Sequence, residues 1–209
     1  MTYAYSLLLI SGIYLAVLAS PGPNFFILSQ MALSQRHRDA RYVAFGITTG
    51  SVFWVIVSIA GLATLLAQHP WLESGVRLAG AAYLVWYGGR LLRSALHPTP
   101  RRTPVEQPEL DGSRLAAYRI GLLTCVTNPK GAAFWTSAFA AIFPVGAPLW
   151  FYPVTVLLIG VLSFGLHIGL AQVFGSAALR SSYLRIERGI NGCAGAALVA
   201  LGLQRIFAR

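Results

Sequence analysis

No charged residue occurs between Tyr42 and Leu72, and between Arg119 and Arg180 there is one, Lys130. Stretches that long exceed the roughly 20 apolar residues that cross a bilayer, so the chain reads as a polytopic membrane protein. Composition agrees. Of 209 residues, 56% are hydrophobic and 11% charged, where a soluble domain carries about a quarter; the mean hydropathy is +0.64. The net charge of +10 does not point to nucleic acid. The arginines sit at segment ends, as expected of loops facing anionic lipid, and no basic stripe with interleaved aromatics lies outside the apolar runs. Cys125 and Cys193 fall inside apolar runs and suggest no disulfide. The N-terminus imitates a signal peptide with Val17-Leu18-Ala19 as its cleavage site, but it lacks a basic start and a proline-glycine break follows at once.

Six apolar runs are expected to span: about Tyr3–Ser34, Tyr42–Ala67, Trp71–Leu92, Leu115–Phe143, Leu149–Leu179 and Ile190–Phe207. Between the third and fourth, four prolines stand among Arg101, Arg102, Glu106, Glu109 and Asp111, a composition too polar to bury a core. The expected organisation is a three-helix unit over residues 1–96, a cytoplasmic linker over 97–114 and a second three-helix unit over 115–209. The halves look related. An offset of 114 pairs Gly46 with Gly160, Thr49 with Ser163, Gly61 with Gly175, and Glu73-Ser74-Gly75-Val76 with Glu187-Arg188-Gly189-Ile190. An offset of 115 then pairs Gly80-Ala81-Ala82 with Gly195-Ala196-Ala197 and Arg90 with Arg205. Three crossings per copy turn the second upside down, the inverted-repeat plan of many transporters. Arg36, Arg38 and Arg41, the linker arginines, and a turn carrying Arg180, Arg185 and Arg188 place those loops in the cytoplasm and both termini outside.

Two proline breaks interrupt the apolar runs: Ser20-Pro21-Gly22-Pro23-Asn24 and Thr127-Asn128-Pro129-Lys130. Proline suits the first helical position and Asn or Ser the cap before it, so each break reads as a half-helix starting inside the membrane; the competing reading is a proline that merely kinks a packed helix, which membrane helices tolerate. Such a start exposes N–H groups and about half a positive charge. Lys130 is the chain's one lysine beside fifteen arginines, and a lysine within the bilayer costs about 2.5 kcal/mol or more. Two helix starts and an ammonium suit a carboxylate, and the carbonyls ending the preceding half-helices suit an ammonium. An amino acid carries both groups. The substrate-binding candidates are Pro21, Gly22, Pro23, Asn24, Asn128, Pro129 and Lys130; Lys130 and His167 are the proton-coupling candidates. A lone intramembrane His more often bonds a neighbour, and Tyr83, Trp86 and Tyr87 read as packing or an interfacial belt. Gly46-x-x-x-Gly50 and Gly165-x-x-x-Gly169 fit close helix packing.

The run Ser20-Pro21-Gly22-Pro23, then Gly46-Ile47-Thr48-Thr49-Gly50, Gly80-Ala81-Ala82-Tyr83-Leu84 and Asn128-Pro129-Lys130, resembles the lysine-exporter (LysE) superfamily, most of all its threonine/homoserine exporter branch. The resemblance implies a protein of the bacterial inner membrane that exports small neutral amino acids, driven by the proton gradient. The chain departs from that branch at Asn24, where Asp is frequent, and in segment five, which offers Ser163 and His167 but no acid. The expected fold is thus an all-α membrane protein: six transmembrane helices as two inverted repeats, helices one and four broken at the proline motifs. No cofactor, metal or nucleic acid is called for, and helix faces rich in small residues suit internal packing or a homodimer equally. The competing readings are an exporter of another solute or ion, which as a metal site would want clustered ligands; a membrane enzyme, which would need a nucleophile and base in reach of each other; and an assembly protein, which would leave Lys130 unexplained.

Overall fold

The computed structural model describes residues 3–18, 22–33, 36–69, 71, 73–97, 113–144 and 146–207. Pro21, with Ser20, and most of the linker (residues 98–112) lie outside the described residues. Within them the secondary structure is helical: α1 (Tyr3–Leu18), α2 (Pro23–Leu33), α3 (His37–Gln68), α4 (Glu73–Leu96), α5 (Arg114–Val126), α6 (Pro129–Ile142), α7 (Phe151–Gly175) and α8 (Ala177–Phe207). Among these, His37–Leu62, Phe151–Gly175 and Arg185–Phe207 are each long and apolar enough to cross a membrane. The pair α1 and α2, meeting at 57°, makes a fourth when taken together.

Helix directions follow from side-chain contacts. Gly50 approaches Cys125 and Gly46 approaches Tyr118, so α3 and α5 run parallel with their starts at one end. Tyr3 packs on Phe151, and Tyr14 and Ser163 both donate to the Ser51 hydroxyl, so α1 and α7 are also parallel. Phe45 packs on Phe164, whereas Gly175 abuts His37, so α3 and α7 are antiparallel. The tightest approach of α4 and α8 is antiparallel as well. A Cβ placed on Gly88 would lie 2.7 Å from the Gly195 carbonyl oxygen and 2.9 Å from Val199 Cγ2. One on Gly202 would lie 2.7 Å from the Ala81 oxygen and 2.6 Å from Val85 Cγ2. Each residue in one contact is matched in the other 114 positions along, and so are Leu84 and Leu198, both fully buried here. The slip to 115 that the Gly-Ala-Ala runs suggest is not kept. A one-residue slip rotates a helix face by about 100°, which string matching tolerates and packing does not.

Two other expectations change. The Arg185 and Arg188 expected in a turn lie on α8, which begins at Ala177 rather than near Ile190. Polar residues on an exposed helix face cost little, so the helix outlasts its apolar part. Gly46-x-x-x-Gly50 does pack closely, on α5, but Gly165 and Gly169 meet nothing within 4 Å. They lie on an outward face of α7, beside the exposed Val161 and Phe164.

Apolar packing forms two cores. One joins α1, α3, α4, α6, α7 and α8 around Ile10, Leu84, Trp135, Phe139, Phe151 and Leu198. The other joins α2, α3, α5 and α7 around Leu28, Met31, Val43, Ile47, Ala117 and Phe174. On α3, Ile47 belongs to one core and Val55 to the other, with the buried Ser51 between them. On α7, Ile159 and Leu170 divide the same way, with Ser163 and His167 between. A polar layer therefore separates the cores. Large apolar side chains such as Leu8, Ile56, Leu157 and Val161 face outward, an arrangement suited to lipid and costly in water.

Candidate functional site

Asn128 caps α6: its Oδ1 accepts from the backbone N–H of Lys130 at 3.0 Å, with Pro129 at the first helical position. Thr127, one residue back, closes α5. This cap sets Lys130 at the second position of α6, where its ammonium would face its own helix's positive pole. The side chain instead reaches the end of α1. Lys130 Nζ donates to the Val17 carbonyl oxygen at 3.4 Å and stands 5.5 Å from the Tyr87 ring centroid. A carbonyl in the last turn of a helix is free to accept and lies at a partly negative pole. A hydrogen bond to a charged group contributes about 1.5–3 kcal/mol and a cation over a ring about 0.5–1 kcal/mol, together comparable with the roughly 2.5 kcal/mol it costs to hold a lysine in the membrane.

Gly22 lies against that ammonium: a Cβ there would be 3.2 Å from Lys130 Nζ. Gly22 of the first motif and Lys130 of the second thus meet in space. Pro23 opens α2 at an exposed position, and Asn24 follows one step inside. The Asn24 Oδ1 is buried without a hydrogen-bond partner, while its side chain bonds Cys125 at the end of α5. Tyr87, read from the sequence as packing or interfacial belt with a substrate path as the alternative, stacks parallel to Tyr83 with centroids 6.1 Å apart and presents its face to Lys130.

One turn back along α1 from Val17 begins the polar layer. Tyr14 Oη donates to Ser51 Oγ at 3.3 Å, and Ser163 Oγ donates to the same oxygen at 3.3 Å. Ser51 in turn donates to the Ile47 carbonyl at 3.0 Å and lies 3.8 Å from Cys125 Sγ. His167 Nδ1 sits 2.8 Å from the Ser163 carbonyl oxygen. A carbonyl can only accept, so Nδ1 carries the proton. His167 does bond a neighbour, but that neighbour belongs to a chain of groups running through α7, α3 and α1, with Cys125 and Asn24 at a branch. Sequence reasoning singled out His167, Ser163 and Asn24 and missed Tyr14, Ser51 and Cys125. Among the described residues no three His, Cys, Asp or Glu side chains cluster as a metal site would need.

The arrangement sets an ammonium against a helix-end carbonyl beside Gly22, with a buried asparagine oxygen on the adjoining α2 and an imidazole whose charge can change near neutral pH. It can hold a small ligand bearing both charges.

Comparison with known proteins agrees in kind. A family model described as LysE type translocator matches residues 15–208. The threonine efflux protein of Escherichia coli K12 is 30% identical over 204 residues, covering 97% of this chain and 98% of that protein. The threonine efflux protein of Salmonella typhi is 30% identical over 199 residues, covering 94% and 95%. An uncharacterized membrane protein of Haemophilus influenzae is 26% identical over 198 residues, covering 93% of each. No solved structure matches the chain. With a match over nearly its whole length, and helices built to cross a bilayer, this multi-pass membrane protein belongs to the LysE type translocator family.

Proposed function

We propose that the protein exports small neutral amino acids across the bacterial inner membrane, threonine and homoserine being the first to test, and that inward proton movement drives it. The observation that carries this reading is the contact between Lys130 Nζ and the Val17 carbonyl beside Gly22. An amino acid has the two groups needed to replace it: its carboxylate takes the Lys130 ammonium and its ammonium takes the Val17 carbonyl. Asn128 holds the α6 start against the carboxylate, the free Asn24 oxygen gives the ammonium a second acceptor, and Pro21, Pro23 and Pro129 keep the breaks open. The names of the efflux relatives point the same way.

In this reading α1 with α2, and α5 with α6, are spans broken at the proline motifs. Residues 1–96 and 115–209 are inverted repeats, and 97–114 is the cytoplasmic linker between them. The helix directions support it: α3 opposes α7, α4 opposes α8, and α1 with α7 mirrors α5 with α3. Rocking of the repeats about the Lys130 region would expose the site to each side in turn. A second copy would find room for close approach at Gly165 and Gly169 of α7. Lys130 and His167 are the proton-coupling groups of this reading, with the Tyr14, Ser51 and Ser163 hydroxyls gathered beside His167.

The test is efflux of labelled amino acids from proteoliposomes under an imposed pH gradient. Lys130→Ala is expected to lower gradient-driven efflux about thirtyfold or more, the usual effect of removing one partner from a buried charge contact. His167→Gln is expected to leave efflux that no longer responds to the gradient. Efflux by Lys130→Ala equal to wild type would remove Lys130 from the site. A gradient response retained by His167→Gln would remove His167 from the coupling.

A further inference from the structure

At the end of the bundle where α3 and α5 start, side by side and parallel, Arg38, Arg41 and Arg114 line an open pocket of about 310 Å³ together with Tyr42 and Phe45. The arginines are exposed, and the nearby carboxylate of Asp39 is engaged by Arg36 at 2.8 Å. Arg114 is held over α3, its Cζ 5.9 Å from the Tyr42 ring centroid. Both helix starts add their partial positive charge on the same side, and Ser113 does not cap α5 with its side chain. Three guanidinium groups, able to bind in pairs of hydrogen bonds, suit a phosphate better than a carboxylate.

The pocket is also half apolar. Phe45 is 47% exposed and stacks on Phe164 of α7 with centroids 4.8 Å apart. That pair continues from the arginines along the outward face of α3 and α7, toward the exposed Phe53 and Val161. Free phosphate has no use for such a surface, whereas an acyl chain does. We propose that this pocket is a binding site for an anionic phospholipid, the phosphate held by Arg38, Arg41 and Arg114 and an acyl chain laid along Phe45 and Phe164. The site lies apart from Lys130 and does not depend on what the protein transports.

Native mass spectrometry of the full chain in detergent, titrated with phosphatidylglycerol, phosphatidylcholine or inorganic phosphate, tests it. Phosphatidylglycerol should bind in preference to phosphatidylcholine. Each Arg→Gln change at 38, 41 or 114 should weaken that binding roughly fivefold, and the triple variant on the order of a hundredfold. Phe45→Ser should weaken phosphatidylglycerol binding and leave the weak phosphate binding unchanged. All these side chains are exposed, and unchanged helicity by circular dichroism serves as the folding control. Equal lipid binding by the wild type and the triple variant would overturn the proposal. So would inorganic phosphate displacing phosphatidylglycerol at equal concentration, which would make the pocket a site for a soluble anion.

Discussion

A methyl group on Gly22 would lie 3.2 Å from Lys130 Nζ and 3.4 Å from its Cδ. These atoms end a flexible side chain, so the fold can yield, but the ammonium cannot then keep its place by Val17. Gly22→Ala is therefore expected to shift stability by less than about 1 kcal/mol while lowering amino-acid efflux measurably, because the Lys130 ammonium must give way by a few tenths of an ångström. Thermal unfolding in detergent and the proteoliposome assay read the two effects apart. Wild-type efflux from Gly22→Ala would mean that the ammonium's position is not what the site depends on. The contrast between the groups that were legible in the sequence and those that were not is one of cost. Lys130 and the prolines stand out because a cation or a broken ladder within the membrane carries a cost that the sequence around it does not visibly offset. Ser51, Tyr14 and Cys125 do not, since a hydroxyl in an apolar helix can bond the carbonyl four residues back, as Ser51 does with Ile47. What gives Ser51 a role is Tyr14, 37 positions away in sequence, and only the fold, which sets α1 against α6 and α7, lets that side chain reach α3. Tyr87 shows the same limit: its spacing to Tyr83 predicts the packing that is present, and the cation over its face comes from the other half of the chain.

Among the helices, glycines with identical spacing differ in what surrounds them, and this separates contact from coincidence. Gly202 of α8 has the Ala81 carbonyl and the Val85 backbone nitrogen where a Cβ would go, whereas Gly61 of α3 has open space. Backbone atoms cannot swing aside. Gly202→Ala is thus expected to force α4 and α8 apart at a cost of roughly 1–3 kcal/mol, and Gly61→Ala to leave stability unchanged or raise it by up to about 1 kcal/mol through helix propensity. Melting temperatures in detergent give the comparison; equal shifts would mean that the close approach of α4 and α8 carries no weight. The sequence pattern marks a helical region at each of these places, but α4, α5 and α6 are not among the helices long and apolar enough to cross a membrane, and the start of α8 lies more than ten residues before the one hydropathy marks. It also read Gly165-x-x-x-Gly169 as it read Gly46-x-x-x-Gly50. Which face a glycine pair presents depends on the rotation of its helix, and α7 turns Ser163 and His167 inward and Gly165 outward.

For the molecule as a whole, helix directions decide which residues share a side of the membrane. The starts of α3 and α5 lie together, and with them Arg38, Arg41 and Arg114; α7 runs against α3, so its start, with Trp150, Leu149 and the Tyr3 end of α1, lies at the other end. Arginine distribution then orients the bundle, since Lys and Arg are retained on the cytoplasmic side. In a background with Cys125 and Cys193 changed to Ser, a cysteine at the exposed Leu149 should react with an impermeant maleimide on intact cells. A cysteine at the exposed Ser113 should react only after the membrane is opened. Reaction of both from the same side would contradict the helix directions, and with them the inverted halves. Reaction of Ser113→Cys alone from outside would keep the fold but reverse the protein in the membrane. The arginine pocket would then face outward, and a driving proton entering the cell would meet the two ends of the His167 chain in the opposite order.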